Sequence, residues 1–84
     1  MHHRLKIEDG YYEAIRSGDK TFEIRYNDRG YQKGDCITFT SVDGLFQHEG
    51  LYLITYVTGY NQKDNVVVFG IKEISPTTES AKDE

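Results

Sequence analysis

The sequence predicts a mainly β domain of the α+β class: a small, curled, mostly antiparallel barrel with one short helix at one end. Three observations predict it. Apolar and polar residues alternate in several short segments, the period of strands with two unlike faces. One early segment instead spaces its apolar residues at helical intervals. Turns rich in Gly, Asn and Asp separate the segments.

Residues 4–7 form the first alternating run, with His3, Leu5 and Ile7 on one side and Arg4, Lys6 and Glu8 on the other. Asp9 is placed to cap a helix that follows, by accepting from first-turn amides that lack a partner. Within that helix Tyr11, Ala14 and Ile15 share a face, and Gly18 supplies the stop. A helix of about two to three turns is stable only when packed on a sheet.

Residues 21–26 alternate again, Phe22, Ile24 and Tyr26 against Thr21, Glu23 and Arg25. A polar loop covers 27–30, and Lys33, Gly34 and Asp35 read as a turn. Residues 36–40 make a third strand with Ile37 and Phe39 inward, and Asp43-Gly44 marks the next turn. Residues 45–48 offer one more short pairing segment. A long strand rich in β-branched and aromatic residues follows over 51–60, a polar turn over 61–65, and a last strand over 66–74. Pro76 ends regular structure, so the domain is expected over 1–74 and a polar, disordered tail over 75–84. No internal repeat and no second domain is visible.

The chain has 84 residues, enough for one domain. Its formal net charge is −4. The segment 75–84 holds one Lys against Glu79, Asp83 and Glu84, so half of that charge belongs to the tail. A mildly acidic body argues against a broad basic face for non-specific nucleic-acid binding, although it leaves room for a local basic pocket. No apolar run approaches the roughly 20 residues of a membrane span, and the N-terminal segment has no secretory pattern. The single Cys36 cannot form an internal disulfide, and it fits a reducing, cytoplasmic setting as a small apolar residue.

The chemistry-bearing constellation is Lys20, Glu23 and Arg25, at a helix-to-strand junction. In a strand, Glu23 and Arg25 project to the same side, about 6–7 Å apart along the chain. Arg offers a planar donor fork for a carboxylate, a phosphate or a base edge. Glu offers acceptors for an amine or amide. Lys20 joins that side only if the alternation breaks at Gly18-Asp19. Asp28 and Arg29 come from the next loop and are placed to close over the same end. Spacing alone equally describes a surface ion pair, worth about 0–1 kcal/mol.

The segment resembles the signature of the ASCH domain (activating signal cointegrator homology), Gly-x-Lys-x-x-Glu-x-Arg, at Gly18, Lys20, Glu23 and Arg25. Its flanks, His3-x-Leu5-Lys6-Ile7, Tyr12-Glu13-Ala14, Ser17-Gly18, Asn27-Asp28-Arg29 and Gly34-Asp35, are similar to a small phage and bacterial branch of that superfamily. The resemblance covers residues 1–40. Beyond Ser41 only a strand pattern remains. It implies a PUA-like β-barrel whose cleft between helix and barrel is lined by the signature residues, and an association with RNA. It also implies an alternative, because one branch of small ASCH proteins removes the acetyl group from N4-acetylcytidine with a Lys, a Thr and a Glu. Lys20 matches that Lys. Glu23 stands where that branch has its Thr, and Glu49 and Glu73 are the downstream candidates for its Glu.

Other residues give weaker signals. His2, His3 and His48 make a poor metal set, and no cofactor motif is present, so neither a metal nor a cofactor is expected. His3 shares the side of Leu5 and Ile7 and is expected as a buried, hydrogen-bonded residue, with a site role as the weaker alternative. Among the seven tyrosines, Tyr11 and at least two of Tyr52, Tyr56 and Tyr60 are expected in the core. Tyr26 and Tyr31 flank the Arg29 loop and are the candidates for stacking on a base.

The expected function is therefore binding of RNA or a nucleotide-like ligand, through Lys20, Thr21, Glu23, Arg25 and Arg29, with His3, Tyr26, Asp28 and Tyr31 as weaker contributors. The alternatives are an amidohydrolase acting on an acylated nucleoside through Lys20 and Glu23, and a protein-interaction module presenting Leu45 and Phe46. No membrane partner is expected.

Overall fold

The computed structural model describes residues 1–74; the expected tail, 75–84, lies outside them. The elements are β1 (His2–Lys6), α1 (Asp9–Arg16), β2 (Phe22–Tyr26), β3 (Cys36–Thr40), β4 (Tyr52–Thr58) and β5 (Val66–Glu73). The five strands form one sheet in the order β1-β3-β4-β5-β2. Only the β1–β3 pair is parallel; β3–β4, β4–β5 and β5–β2 are antiparallel. The sheet curls into a half-barrel, and β1 and β2 are its two open edges. No helix among the described residues is long and apolar enough to cross a membrane.

The curl has a local cause. The β4–β5 register shifts between Ile54 and Tyr56, a bulge that leaves Thr55 out of step. Opposite it, a Cβ on Gly70 would stand 2.7 Å from Thr55 Oγ1, so only glycine fits there without a shift. The bend brings the far edge β2 around toward β1.

The core contains Leu5 and Ile7 from the first strand and its exit, Tyr12 and Ile15 from α1, Ile37 and Phe39 from β3, Tyr52 and Ile54 from β4, and Phe69 and Ile71 from β5. The inward positions of Ile37 and Phe39 match the alternation. The helix turns further than its apolar spacing indicates: Tyr12 and Ile15 are its buried residues, whereas Tyr11 is exposed. Tyr12 packs edge-on to Phe39, stacks on His48 and donates its hydroxyl to the Glu49 carbonyl. Those anchors fix the helix face. The cap also differs from the expectation. Glu8 holds the N-cap position with no side-chain hydrogen bond, and Asp9 is the first helical residue, where its charge still suits the positive helix end. Gly18 ends the helix at φ +90, as its sequence position indicates.

Of the remaining tyrosines, Tyr52 is in the core, but Tyr56 and Tyr60 are exposed, which corrects the core expectation for one of them at least. Both fall on the outer side of the sheet or beyond its last paired residue. The segment 45–48 adds one isolated bridge, Thr40 to Gln47, and no strand. Cys36 opens β3 half-buried.

Candidate functional site, a charged cleft at the sheet edge

Strand β2 turns its charged side inward. Glu23 pairs with Phe69 of β5, and Phe69 is fully buried, so the same face of the curled sheet carries both. Glu23 is only 4% exposed, whereas Phe22, Ile24 and Tyr26 are on the outer, exposed side. A buried carboxylate persists only if it is paired. Here both oxygens are held: Lys20 Nζ donates to Oε2 at 2.7 Å, and Arg25 Nε donates to Oε1 at 3.0 Å.

The break in alternation that Lys20 requires is present. The Lys20 amide donates to the Ala14 carbonyl at 2.9 Å, and Gly18 in its left-handed conformation swings the chain over the helix end. The Lys20 ammonium then lies 4.9 Å from the Tyr11 ring centroid and 5.5 Å from that of Phe22, within cation–π range. Arg25 reaches further: its Nη2 donates to the Lys6 carbonyl on β1 at 2.8 Å. Arg29 repeats the device one step along, Nη1 donating to the Arg4 carbonyl at 3.1 Å. The two open edges of the half-barrel are thus joined by guanidinium groups in place of a backbone ladder.

In front of the Lys20–Glu23–Arg25 cluster lies an open cleft of about 670 Å³. This is within the size range of small-ligand sites. Tyr11, Phe22, Ile24 and Tyr26 supply its apolar walls, and Lys6 and Glu8 its rim. Those four apolar residues are all exposed, a concentration of uncovered ring and aliphatic surface beside a charged floor. A second pocket of about 470 Å³ adjoins it, lined by Arg4, Lys6, Arg25, Arg29, Thr40 and Gly44.

The structure sorts the expected site residues. Lys20, Glu23, Arg25 and Tyr26 line the cleft. Arg29 lines the second pocket, and Asp28 is exposed on the loop beside it. Thr21 faces a third cavity of about 270 Å³, which Lys20 and Glu73 also line. Glu49 lines none of these three cavities; its carbonyl accepts from the Tyr12 hydroxyl. Tyr31 is no stacking surface: it is 4% exposed, 4.8 Å from the His3 ring and 4.7 Å from Phe69. Burial pushes its phenol pKa up, against the pull of the Arg25 and Arg29 charges. His3 is likewise buried, and its Nε2 meets Asp35 Oδ2 at 2.8 Å. Asp35 also accepts from the Gln32 amide at 3.1 Å, and these bonds, led by His3, hold its carboxyl below the usual range. Both residues pin β1 to the start of β3 and stand apart from the cleft.

Sequence reading did not single out Arg4, Lys6, Tyr11, Phe22 or Ile24 as lining residues. The polar side of β1, Arg4 and Lys6, was visible as a pattern; its position facing β2 was not. No group of three or more potential metal ligands occurs among the described residues.

A curled half-barrel with a short helix and a charged cleft between its open edges defines a small β domain built around one edge site. The chain belongs to the family described as "Domain of unknown function (DUF3850)", whose model matches residues 2–71. Among solved structures, it is similar to the crystal structure of hypothetical protein PH0355, with a TM-score of 0.64 over 88% of this chain and 100% of that one. At 18% identity, that likeness speaks for the fold alone. No curated protein matches the chain significantly.

Proposed function

We propose that this domain binds RNA or a nucleotide-like ligand in the cleft, as a PUA-like domain of the ASCH type. The observation that carries the reading is the convergence of Lys20, Glu23 and Arg25 on a cleft walled by exposed rings. Tyr11, Phe22 and Tyr26 offer flat surfaces on which a base can stack. Lys20 and Arg25 offer donors to base carbonyls or phosphate oxygens. Glu23 has a holding role in this reading: buried with both oxygens engaged, it fixes two cations instead of meeting the ligand itself.

Titration of single-stranded RNA oligomers and modified nucleosides against the wild-type chain and Arg25→Ala tests the proposal. Saturable binding that weakens with salt and drops in the variant is expected. Negligible, salt-insensitive signal from both would overturn it.

A second reading, an amidohydrolase acting on an acylated nucleoside such as N4-acetylcytidine, draws on one observation: Lys20 shares the smaller cavity with Glu73. Turnover above a Lys20→Ala control would support it, and equal rates would remove that substrate. The third reading, a protein-interaction module, draws on exposed Val42, Leu45 and Phe46 in the loop after β3. Co-migration with a partner in gel filtration, lost on Leu45→Ser, would support it.

A further inference from the structure

We propose that the second pocket is a phosphate subsite, so that the ligand is a nucleotide or a single strand whose base occupies the cleft and whose phosphate lies against Arg4, Lys6 and Arg29. The proposal rests on the nucleotide-binding reading of the cleft and names the part of the ligand that the cleft does not account for.

Charge is the first argument. The chain has ten Lys and Arg in all and a net charge of −4. Four of those ten line this one pocket, with Lys20 in the cleft beside it. On an acidic chain, that concentration creates a local positive potential which the net charge conceals. Carboxylates nearby offset it only in part. Glu23 is spent on Lys20 and Arg25. Asp43 offsets part of the Lys6 charge from the neighbouring loop but forms no ion pair with it; its Oδ1 accepts from the Ser41 hydroxyl at 2.6 Å and the Leu45 amide at 2.9 Å. Asp28 precedes Arg29 on an exposed loop. Among the described residues, none of Arg4, Lys6 and Arg29 has a carboxylate oxygen within 4.0 Å.

Preorganisation is the second. Arg4 and Lys6 alternate with buried His3 and Leu5, so both project from the same side of β1. Arg25 and Arg29 are held by the Lys6 and Arg4 carbonyls, neutral acceptors that fix the guanidinium groups; Arg25 is also paired with Glu23, whereas Arg29 keeps its charge uncompensated. Each therefore keeps N–H donors for an anion, in the forked geometry that suits phosphate oxygens. Gly44 forms part of the wall at φ +77, and a Cβ there would stand 3.5 Å from Lys6 Cε. That distance is ordinary van der Waals contact, so it is the positive φ that favours glycine in this wall.

Continuity is the third. Lys6 and Arg25 line both cavities. A ligand with an apolar, stackable part and an anionic part attached to it matches the pair, and a nucleotide has that composition.

Isothermal titration of a nucleoside, its 5′-monophosphate and inorganic phosphate tests this with wild type, Arg29→Gln and Arg4→Gln. These positions lie outside the cleft, and the glutamines keep much of the side-chain bulk. The wild type is expected to bind the monophosphate about tenfold or more tighter than the nucleoside, as charge-assisted bonds to phosphate do. Each variant should lose most of that advantage while binding the nucleoside as before. For an RNA strand, each variant should also lower the slope of log affinity against log salt by about one. An equal preference for the monophosphate in all three proteins would overturn the subsite and leave the cleft reading standing. Inorganic phosphate bound as tightly as the monophosphate would overturn its link to the cleft. Binding of neither nucleoside nor nucleotide would overturn both.

Discussion

The Arg25 guanidinium joins the two open edges of the half-barrel: its Nη2 donates to the Lys6 carbonyl of β1 at 2.8 Å while its Nε donates to the Glu23 carboxylate of β2 at 3.0 Å. One side chain thus links a structural closure to the charged floor of the cleft. The geometry needs a planar fork with two separated donors. Arg25→Lys keeps the charge but lacks that fork. Stability is expected to fall by about 1 kcal/mol, the scale of one hydrogen bond, and ligand affinity by about tenfold or more. Urea unfolding alongside an RNA titration checks both; unchanged values would make Arg25 an ordinary surface cation.

Glu23→Gln tests the buried carboxylate. The amide keeps the shape, removes the charge and leaves Lys20 and Arg25 close together without their anion. Both cations retain access to water, so the loss is expected below that for breaking a fully buried pair, about 1–3 kcal/mol. Thermal or urea denaturation measures it. A variant as stable as wild type would show that the cations do not depend on Glu23.

Asp35 gives the fold a pH dependence of definite sign. Its carboxyl is held below the ordinary value, chiefly by the His3 hydrogen bond. A depressed folded-state value means the stabilisation is fully present above the ordinary carboxylate range near 4, and is lost as pH falls through the folded value. Asp35→Asn should therefore be less stable than wild type at neutral pH, and the gap should shrink below about pH 4. Urea midpoints across pH 2–7 read the effect; a constant gap would contradict it.

Gly70 is predicted to set the curl. Gly70→Val brings a side chain against Thr55 Oγ1, where even a Cβ would be at 2.7 Å. Despite the strand preference of Val, a loss of about 1–3 kcal/mol is expected, and Thr55→Ala in the same chain should recover much of it. A stabilising Gly70→Val would show that the sheet does not need the close approach.

Much of the fold was legible because it is local. The alternation around Ile37 and Phe39 placed β3 and its inward side, and Gly18 marked the helix stop. The alternation in β2 divided the strand into two faces, but hydrophobicity does not say which is buried when the charged face is neutralised by Lys20 and Arg25. The helix face depended on Tyr12 finding Phe39 and His48, contacts made far along the chain. Tyr31 sits in a polar stretch, and its burial depends on His3 and Phe69 closing over it. The signature triad was legible as a cluster in sequence. The basic pocket was not, because it exists only where β1 and β2, unpaired neighbours in the curled sheet, face one another.

The most direct test of the cleft is an amide-resolved NMR titration of the wild-type chain with a short single-stranded RNA. Saturable shifts should concentrate at Tyr11, at residues 20–26 and at Lys6, extending to Arg4, Arg29 and Gly44 around the adjoining pocket, with Glu49 and the exposed turn at 61–63 quiet. Shifts confined to 42–46, or none at saturating RNA, would contradict the assignment of the Lys20–Glu23–Arg25 cleft as a nucleotide-binding site.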